Sequence, residues 1–365
     1  MLRQALVTGQ FPNAYLFTGT EGIGKDAAAI ELAKAINCDK RPPGGSEACD
    51  DCPSCHTIGA FQSQLARILF PLAKTDTWSQ KDIEEEVELA REQLALKAED
   101  PYHNITIPKA IEIKLDQIRS IRLEASRSVQ TGKKRVIIIS EADTMRVESQ
   151  NALLKTLEEP QAATMFILTS SNPSRLSATI QSRCQDIRFD LLSSDAIKKC
   201  LVEEDDVDAG QAEFLARLSG GSLTVARNMA SEDILELRKK VVQFLRMGLS
   251  RSRKNLITEL DGLVPRRGTE FMERRQIVEQ MLRLFAIWFR DALALVSNNK
   301  EAIINIDLMD DLVKFTTKFN DPARLVKALH IVQTATNDTK LQLQLREVMI
   351  GMSIELEETL LTKAA

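Results

Sequence analysis

Apolar residues in the first half of the chain gather into short unbroken runs: "AYLFT" (14–18), "KRVIIIS" (134–140) and "TMFILTSS" (164–171). Such runs predict strands buried on both faces. Between them the apolar positions recur at helical spacing. One helix follows the first run as far as about Ile36, and another covers "QIRSIRLEASRSV" (117–129). A third is "SQNALLKTLEEP" (149–160), where Leu153, Leu154 and Leu157 share a face and Pro160 stops the helix. "CQDIRF" (184–189) reads as one more short strand. Strands alternating with helices predict a parallel, doubly wound α/β sheet.

Beyond about residue 190 the strand pattern stops. Residues 191–232 read as a small helical unit containing the turn "SGGS" (219–222), and 233–365 as helices only, with breaks near "DGLVPRRG" (261–268) and "FNDPAR" (319–324). The expected organisation is an α/β domain over 1–190, a helical lid over 191–232 and an all-α domain over 233–365. Residues 61–100 read as an insertion in the first of these. Its helix, "KDIEEEVELAREQLALKAED" (81–100), puts Ile83, Val87, Ala90 and Leu94 on one side of a strongly acidic surface. An acidic docking helix and a plainly solvated one are both open, and the pattern favours the solvated one.

Composition changes this picture little. The chain has 365 residues, 44% hydrophobic and 27% charged, as in an ordinary globular protein. A net charge of −4 excludes coating of nucleic acid by bulk electrostatics. "MLRLFAIWFRDALALV" (281–296) carries Arg283, Arg290 and Asp291, so it reads as a buried amphipathic helix and not a membrane span. The start "MLRQALVTGQF" lacks a basic-then-apolar leader, and the expected location is the cytoplasm.

The first candidate site is the glycine loop "FTGTEGIGKDAAA" (17–29), with Gly19, Gly22, Gly24 and Lys25. It follows a strand and opens a helix, as the phosphate-binding pattern G-x-x-x-x-G-K-S/T requires. The last position should be a magnesium-binding hydroxyl, and here it is Asp26. Even at an effective dielectric of about 20, each like-charge pair at ~4 Å costs on the order of 4 kcal/mol. The second half of such a site is an acidic pair ending a buried strand. Here the strand ends "VIIISEAD", which keeps Glu141 but replaces the first acid with Ser140. Both inner magnesium positions are altered together, so loss of hydrolysis is the simpler reading, and Mg²⁺ is not expected. A swap in which Asp26 supplies the carboxylate that Ser140 lacks is the alternative.

Cys38, Cys49, Cys52 and Cys55 have the spacing C-x10-C-x2-C-x2-C, four thiolates able to close around a structural zinc. "CPSCH" (52–56) also fits the haem-attachment pattern, but that chemistry needs an exported protein and leaves Cys38 and Cys49 unused. Cys184 and Cys200 read as buried residues. The basic run Lys133–Lys134–Arg135 reads as solvated, and no Ser–His–Asp arrangement stands out among His56, His103 and His330.

"NALLKTLEEP", then "FILTSSNPSRLSATIQSRCQ", with a four-cysteine insertion after the first helix, resembles the bacterial DNA polymerase III clamp-loader AAA+ family. The resemblance covers residues 1 to about 230 and is weaker in the tail, where "NDTKLQLQL" (337–345) is similar to the family's last helix. It implies an α/β P-loop (AAA+) domain with a helical lid and a C-terminal collar. It also implies partners: gamma/tau and delta subunits in a hetero-pentamer, a sliding clamp, and primed DNA reached through the assembled complex. No membrane is involved. Motor subunits of the family keep Thr after the loop lysine and an Asp-Glu pair, so Asp26 and Ser140 resemble the delta-prime branch instead. The family's ATP-sensing Arg falls at Thr224, with Arg227 nearby. Relatives carry a further turn or two upstream that helps enclose adenine, which calls ATP binding into question. Ser170 to Asn172 match the first sensor region. Arg183 of "SRC" would be an arginine finger acting on the ATP of a neighbouring motor subunit. Two other readings stay open: an ATP-hydrolysing gamma/tau-like subunit using Asp26 and Glu141, and a zinc-dependent nucleic-acid binder.

Overall fold

A computed structural model describes the chain except residues 74–79, 109, 126–128, 130, 159–162, 232–233, 249–270, 340–343 and 362–365. The predicted stop at Pro160, the break at 261–268 and part of the 337–345 helix therefore lie outside the described residues. The chain forms two compact units, Met1–Ser193 with Gly221–Val225, and Ser194–Gly220 with Ala226–Ala365.

The first unit runs α1 (Leu2–Thr8), β1 (Ala14–Thr18), α2 (Lys25–Asn37), α3 (Pro53–Gly59), β2 (Ala66–Leu69), β3 (Leu72–Ala73), α4 (Gln80–Glu99) and β4 (Ala110–Glu112). It continues with α5 (Leu115–Ala125), β5 (Arg135–Ile139), α6 (Val147–Glu158), β6 (Thr164–Ser170), α7 (Ala178–Gln181) and β7 (Gln185–Arg188). The expected parallel sheet is present, with order β2-β5-β6-β1-β7 and every neighbour parallel. The apolar runs are continuous in the three central strands, β5, β6 and β1, because each of these is covered on both sides. Tyr15, Phe17, Val136 and Ile138 pack with α1, α2 and α3 residues such as Leu6, Ile30 and Ile58. Leu16, Ile137, Ile139 and Phe166 pack on the other face with Ile118, Ile121, Leu153 and Ile180. In this order β6 lies between the glycine-loop strand β1 and the Ser140 strand β5, so the C-terminal ends of all three converge on one crevice.

Three sequence readings change. Residues 66–69, read as part of an insertion, form the edge strand β2, with Ala66 to Leu69 registered against Val136 to Ile139. The helix α4 is not simply solvated: Leu89, Ala90 and Leu94 pack against the core, while Val87 is 46% exposed. The run 133–135 is not solvated either. Lys133 Nζ donates to the Asn37 carbonyl (2.6 Å) and Asp39 Oδ1 (2.5 Å), and buried Arg135 donates to the Glu124 carbonyl (2.6 Å). These contacts tie the start of β5 to the end of α2 and to the cysteine loop.

The second unit is helical throughout its described residues: α8 (Ser194–Glu203), α9 (Ala209–Leu218), most of α10 (Leu223–Ser231), α11 (Ile234–Gly248), α12 (Phe271–Val296), α13 (Met309–Lys318), α14 (Pro322–Asp338) and α15 (Leu345–Leu361). Two buried charges of this unit, Asp291 and Arg238, are answered by partners. Asp291, fully buried on α12, accepts from the amides of Ile304 (3.0 Å) and Asn305 (2.7 Å) and from Asn305 Nδ2 (2.7 Å). Arg238 grips Asp307 with two hydrogen bonds (3.0 and 2.6 Å) while stacking over Phe214. No described helix is long and apolar enough to cross a membrane.

Candidate functional site

The glycine loop joins β1 to α2 and adopts backbone angles that side chains resist. Gly24, the residue before the helix, has φ 94°, and a Cβ there would lie 2.8 Å from Tyr102. Gly22 has φ 73°, and its Cβ would lie 2.3 Å from Ser222 Oγ. The loop is thus shaped like a phosphate cradle but is covered at short range by the chain's own residues.

Asp26 stands on the first turn of α2, facing the ends of β5 and β6. Its Oδ2 accepts from Ser140 Oγ at 2.6 Å, and its Oδ1 accepts from Thr169 Oγ1 at 2.8 Å. The decisive neighbour is Lys97, from the last turn of α4. Its ammonium is 3.4 Å from Asp26 Oδ2, with side-chain exposures of 2% and 21% for the lysine and the aspartate. Lys97 Nζ also donates to the carbonyls of Pro101 (3.3 Å) and His103 (2.7 Å). An ammonium has three N–H groups, and three acceptors surround this one. The pair answers the electrostatic problem that Asp26 poses: a fixed cation neutralises the carboxylate where a divalent metal would be needed.

Lys25 is engaged in the same way. Its Nζ donates to the carbonyls of Gly19 (2.7 Å) and Thr20 (2.7 Å) and to Ser171 Oγ (3.4 Å). Burial pushes its pKa down, against the pull of Asp26, Asp143, Glu21 and Glu141. The strap that follows α4 completes the cover. Tyr102 lies over Gly24, its carbonyl accepts from Thr224 Oγ1 (2.9 Å), and Asn104 Nδ2 donates to Glu21 (2.9 Å). The cavity left among these residues has a volume of about 40 Å³. At roughly 10–15 Å³ per water centre that is room for about three waters.

Glu141 sits at this cavity with φ 52°, a left-handed backbone uncommon for a residue with a side chain. Its pKa is raised to about 7, first by burial and then by Asp26, Glu21 and Asp143.

The cysteine loop brings all four predicted ligands together. Their sulfurs lie within 4.8 Å of one another, with Cys49–Cys55 and Cys38–Cys52 each at 4.0 Å. A tetrahedral zinc with Zn–S of about 2.3 Å requires S···S edges of about 3.8 Å, so the two 4.0 Å pairs come close to that geometry and the wider pairs would draw in by up to about 1 Å. "CPSC" explains the local geometry: Cys52 caps α3, its sulfur accepting from the Cys55 amide (3.4 Å), and Pro53 follows. Burial opposes ionisation of Cys52, but the amides of Cys55 and Asp39 outweigh it and bring the thiol to about 6. Burial and the neighbouring thiols push Cys55 up to about 12. Four thiols this close ionise together only with a cation among them.

Arg183 lies outside both clusters, on the surface just after α7. Its Nη2 donates to Glu158 Oε1 (2.6 Å) and its Nη1 to the Thr179 carbonyl (3.0 Å). Arg227, in the second unit, is paired with Glu204 and Asp205. Sequence reasoning therefore located the glycine loop, Asp26, Ser140, Glu141 and the cysteines. It missed Lys97, Tyr102, Asn104 and Thr169. The only signal for Lys97 was a base near the end of an acidic helix.

The raised Glu141 pKa has a testable sign. Between its ordinary 4.5 and about 7 the folded state holds the proton more tightly than the unfolded chain, so this contribution falls as pH rises through that window. The residue is exposed on one side, which screens the effect to on the order of 1 kcal/mol. Glu141→Gln is expected to gain stability relative to the parent on going from pH 5 to pH 8. Urea midpoints of the two proteins at both pH values check this, and parallel pH curves would refute it.

Comparison with known proteins follows the same residues. The family model described as DNA polymerase III, delta subunit, matches residues 1–193. The DNA polymerase III subunit delta′ of Bacillus subtilis is 28% identical over 312 residues, 86% of this chain and 81% of that one. The delta′ subunit of Pseudomonas aeruginosa is 32% identical over 235 residues, 64% of this chain and 60% of that one. The tau subunit of Bacillus subtilis is 30% identical over 238 residues, but these span only 35% of its length. The family match takes in the glycine loop, the cysteine cluster and Arg183, and the Bacillus delta′ match runs on past it into the helical tail. The chain belongs to the DNA polymerase III delta subunit family, on its bacterial delta′ side.

Proposed function

We propose that this chain is a non-hydrolysing delta′ subunit of a bacterial clamp loader, which helps place the sliding clamp on primed DNA and lends Arg183 to the ATP of a neighbouring gamma/tau subunit. The observation that carries the first half is the Lys97–Asp26 pair. Both Asp26 oxygens are already engaged by Ser140, Thr169 and Lys97, and the Lys25 ammonium has three acceptors from the protein itself. A gamma/tau-like reading needs Asp26 and Glu141 free to hold magnesium and activate water. Asp26 is committed to these three partners.

Arg183 supports the second half by its place on the surface of the first unit, with 34% of its side chain exposed. A guanidinium presented there matches the geometry of a phosphate. In this account gamma/tau and delta subunits complete a hetero-pentamer in the cytoplasm, residues 191–232 form the lid, and 233–365 form the collar that joins the ring. DNA and clamp are reached through the assembly. Cys38, Cys49, Cys52 and Cys55 hold a structural zinc with no open position for catalysis. The Lys133 contacts to Asn37 and Asp39 brace that loop against the sheet. A zinc-based nucleic-acid binder is less well supported, because acidic Asp50 and Asp51 flank the cysteines and no aromatic residues interleave with bases there.

Two measurements test this reading. The isolated chain is expected to release no phosphate from Mg·ATP, while Arg183→Ala in the reconstituted complex is expected to slow hydrolysis by about 10³-fold or more with assembly intact. Turnover by the lone chain, or a normal rate with Arg183→Ala, would contradict it. For the metal, the expected content is one zinc per chain, with chelation lowering the thermal midpoint and exposing four reactive thiols. Substoichiometric zinc with freely reactive thiols would refute the assignment.

A further inference from the structure

Arg183 is held by more than its own backbone, and the partner that holds it belongs to another element. The residue follows α7, where its amide donates to the Ile180 carbonyl (3.1 Å) and Ile180 is fully buried in the core. Its base is therefore fixed. A long arginine side chain on a fixed base still samples many rotamers. Here two acceptors select one: the Thr179 carbonyl takes an Nη1 hydrogen at 3.0 Å, and Glu158 Oε1 takes an Nη2 hydrogen at 2.6 Å.

Glu158 is itself well anchored. It ends α6, whose Leu153 and Leu157 are buried at 0% and 3% exposure. Its side chain stays 46% exposed, so the ion pair adds little to fold stability. Of the five guanidinium N–H groups, two are engaged among the described residues, which leaves three for a phosphate. The grip and a phosphate contact can therefore coexist.

We propose that Glu158 is the positioning residue for Arg183, orienting the guanidinium so that its unengaged N–H groups face the γ-phosphate of a neighbouring subunit. This rests on the reading of Arg183 given above. Glu158 touches neither nucleotide nor water. It acts only through Arg183; in the neighbour a water oxygen bonds to the γ-phosphorus as the P–O bond to ADP breaks, ADP leaves with the electron pair, and the water proton passes to solvent.

The test uses the complete complex, reconstituted with delta and gamma/tau subunits, with Mg·ATP turnover measured in the presence of clamp and primed DNA. Glu158→Ala is expected to lower kcat about ten-fold with KM for ATP within about two-fold, because the interaction serves the transition state. Glu158→Gln keeps an acceptor oxygen and is expected to restore kcat to within about three-fold of the parent. Size-exclusion chromatography should show intact assembly for both. A parental rate for Glu158→Ala beside a collapsed rate for Arg183→Ala would overturn the positioning role alone. A parental rate for Arg183→Ala would overturn both readings. Loss of assembly with Glu158→Ala, a rise in KM at unchanged kcat, or Glu158→Gln no better than Glu158→Ala would also overturn the positioning role.

Discussion

A buried ammonium beside a half-buried carboxylate governs this nucleotide-type crevice. Lys97 and Asp26 meet where a working phosphate site would place a divalent cation, and the rest of the crevice is arranged around them. Desolvating two charges is costly, and their attraction repays that only when the remaining donors and acceptors are satisfied. Here they are: three acceptors around Lys97, and two hydroxyl donors on Asp26. Removing either partner would strand a charge in the interior. The pair explains why Asp26 and Ser140 occur together. The carboxylate needs a hydroxyl donor from the strand end, and a second acid there would reintroduce the repulsion that Lys97 relieves.

On the proposed reading, the same arrangement ties a catalytic loss to a structural gain. In a hydrolysing site the loop is organised by the nucleotide and its metal. In this chain the strap 97–104 supplies that organisation from within, through Lys97, Tyr102 and Asn104. The α/β unit keeps its sheet, its loop and its surface arginine without needing a ligand. The fold is then free to serve as a rigid platform, with Arg183 and Glu158 on one side and the cysteine loop braced by Lys133 on another.

The parallel sheet was legible because strands buried on both faces leave unbroken apolar runs, and its three central strands could be read that way, with the edge strand β7 recognised only as a short strand. The fifth, β2, is only "ARIL" and lies between a cysteine loop and an acidic helix, so local pattern could not separate it from an insertion. Cys38 to Cys55 were legible because ligand spacing is local. Asp26 and Ser140 stood out as departures from a pattern, but their cause did not. Lys97 lies 71 residues beyond Asp26 in sequence, and no periodicity links an acidic helix to a glycine loop. Arg183 was singled out by family resemblance alone, and its Glu158 partner only by the folded geometry.

The account turns on the claim that the phosphate cradle is filled by the protein itself. Calorimetric titration of Mg·ATP into the isolated chain tests this most directly, with the Lys97→Ala, Asp26→Thr double variant run alongside. No saturable binding is predicted for the parent up to millimolar nucleotide, with measurable binding emerging once the internal pair is removed. Micromolar binding of Mg·ATP by the parent would contradict it.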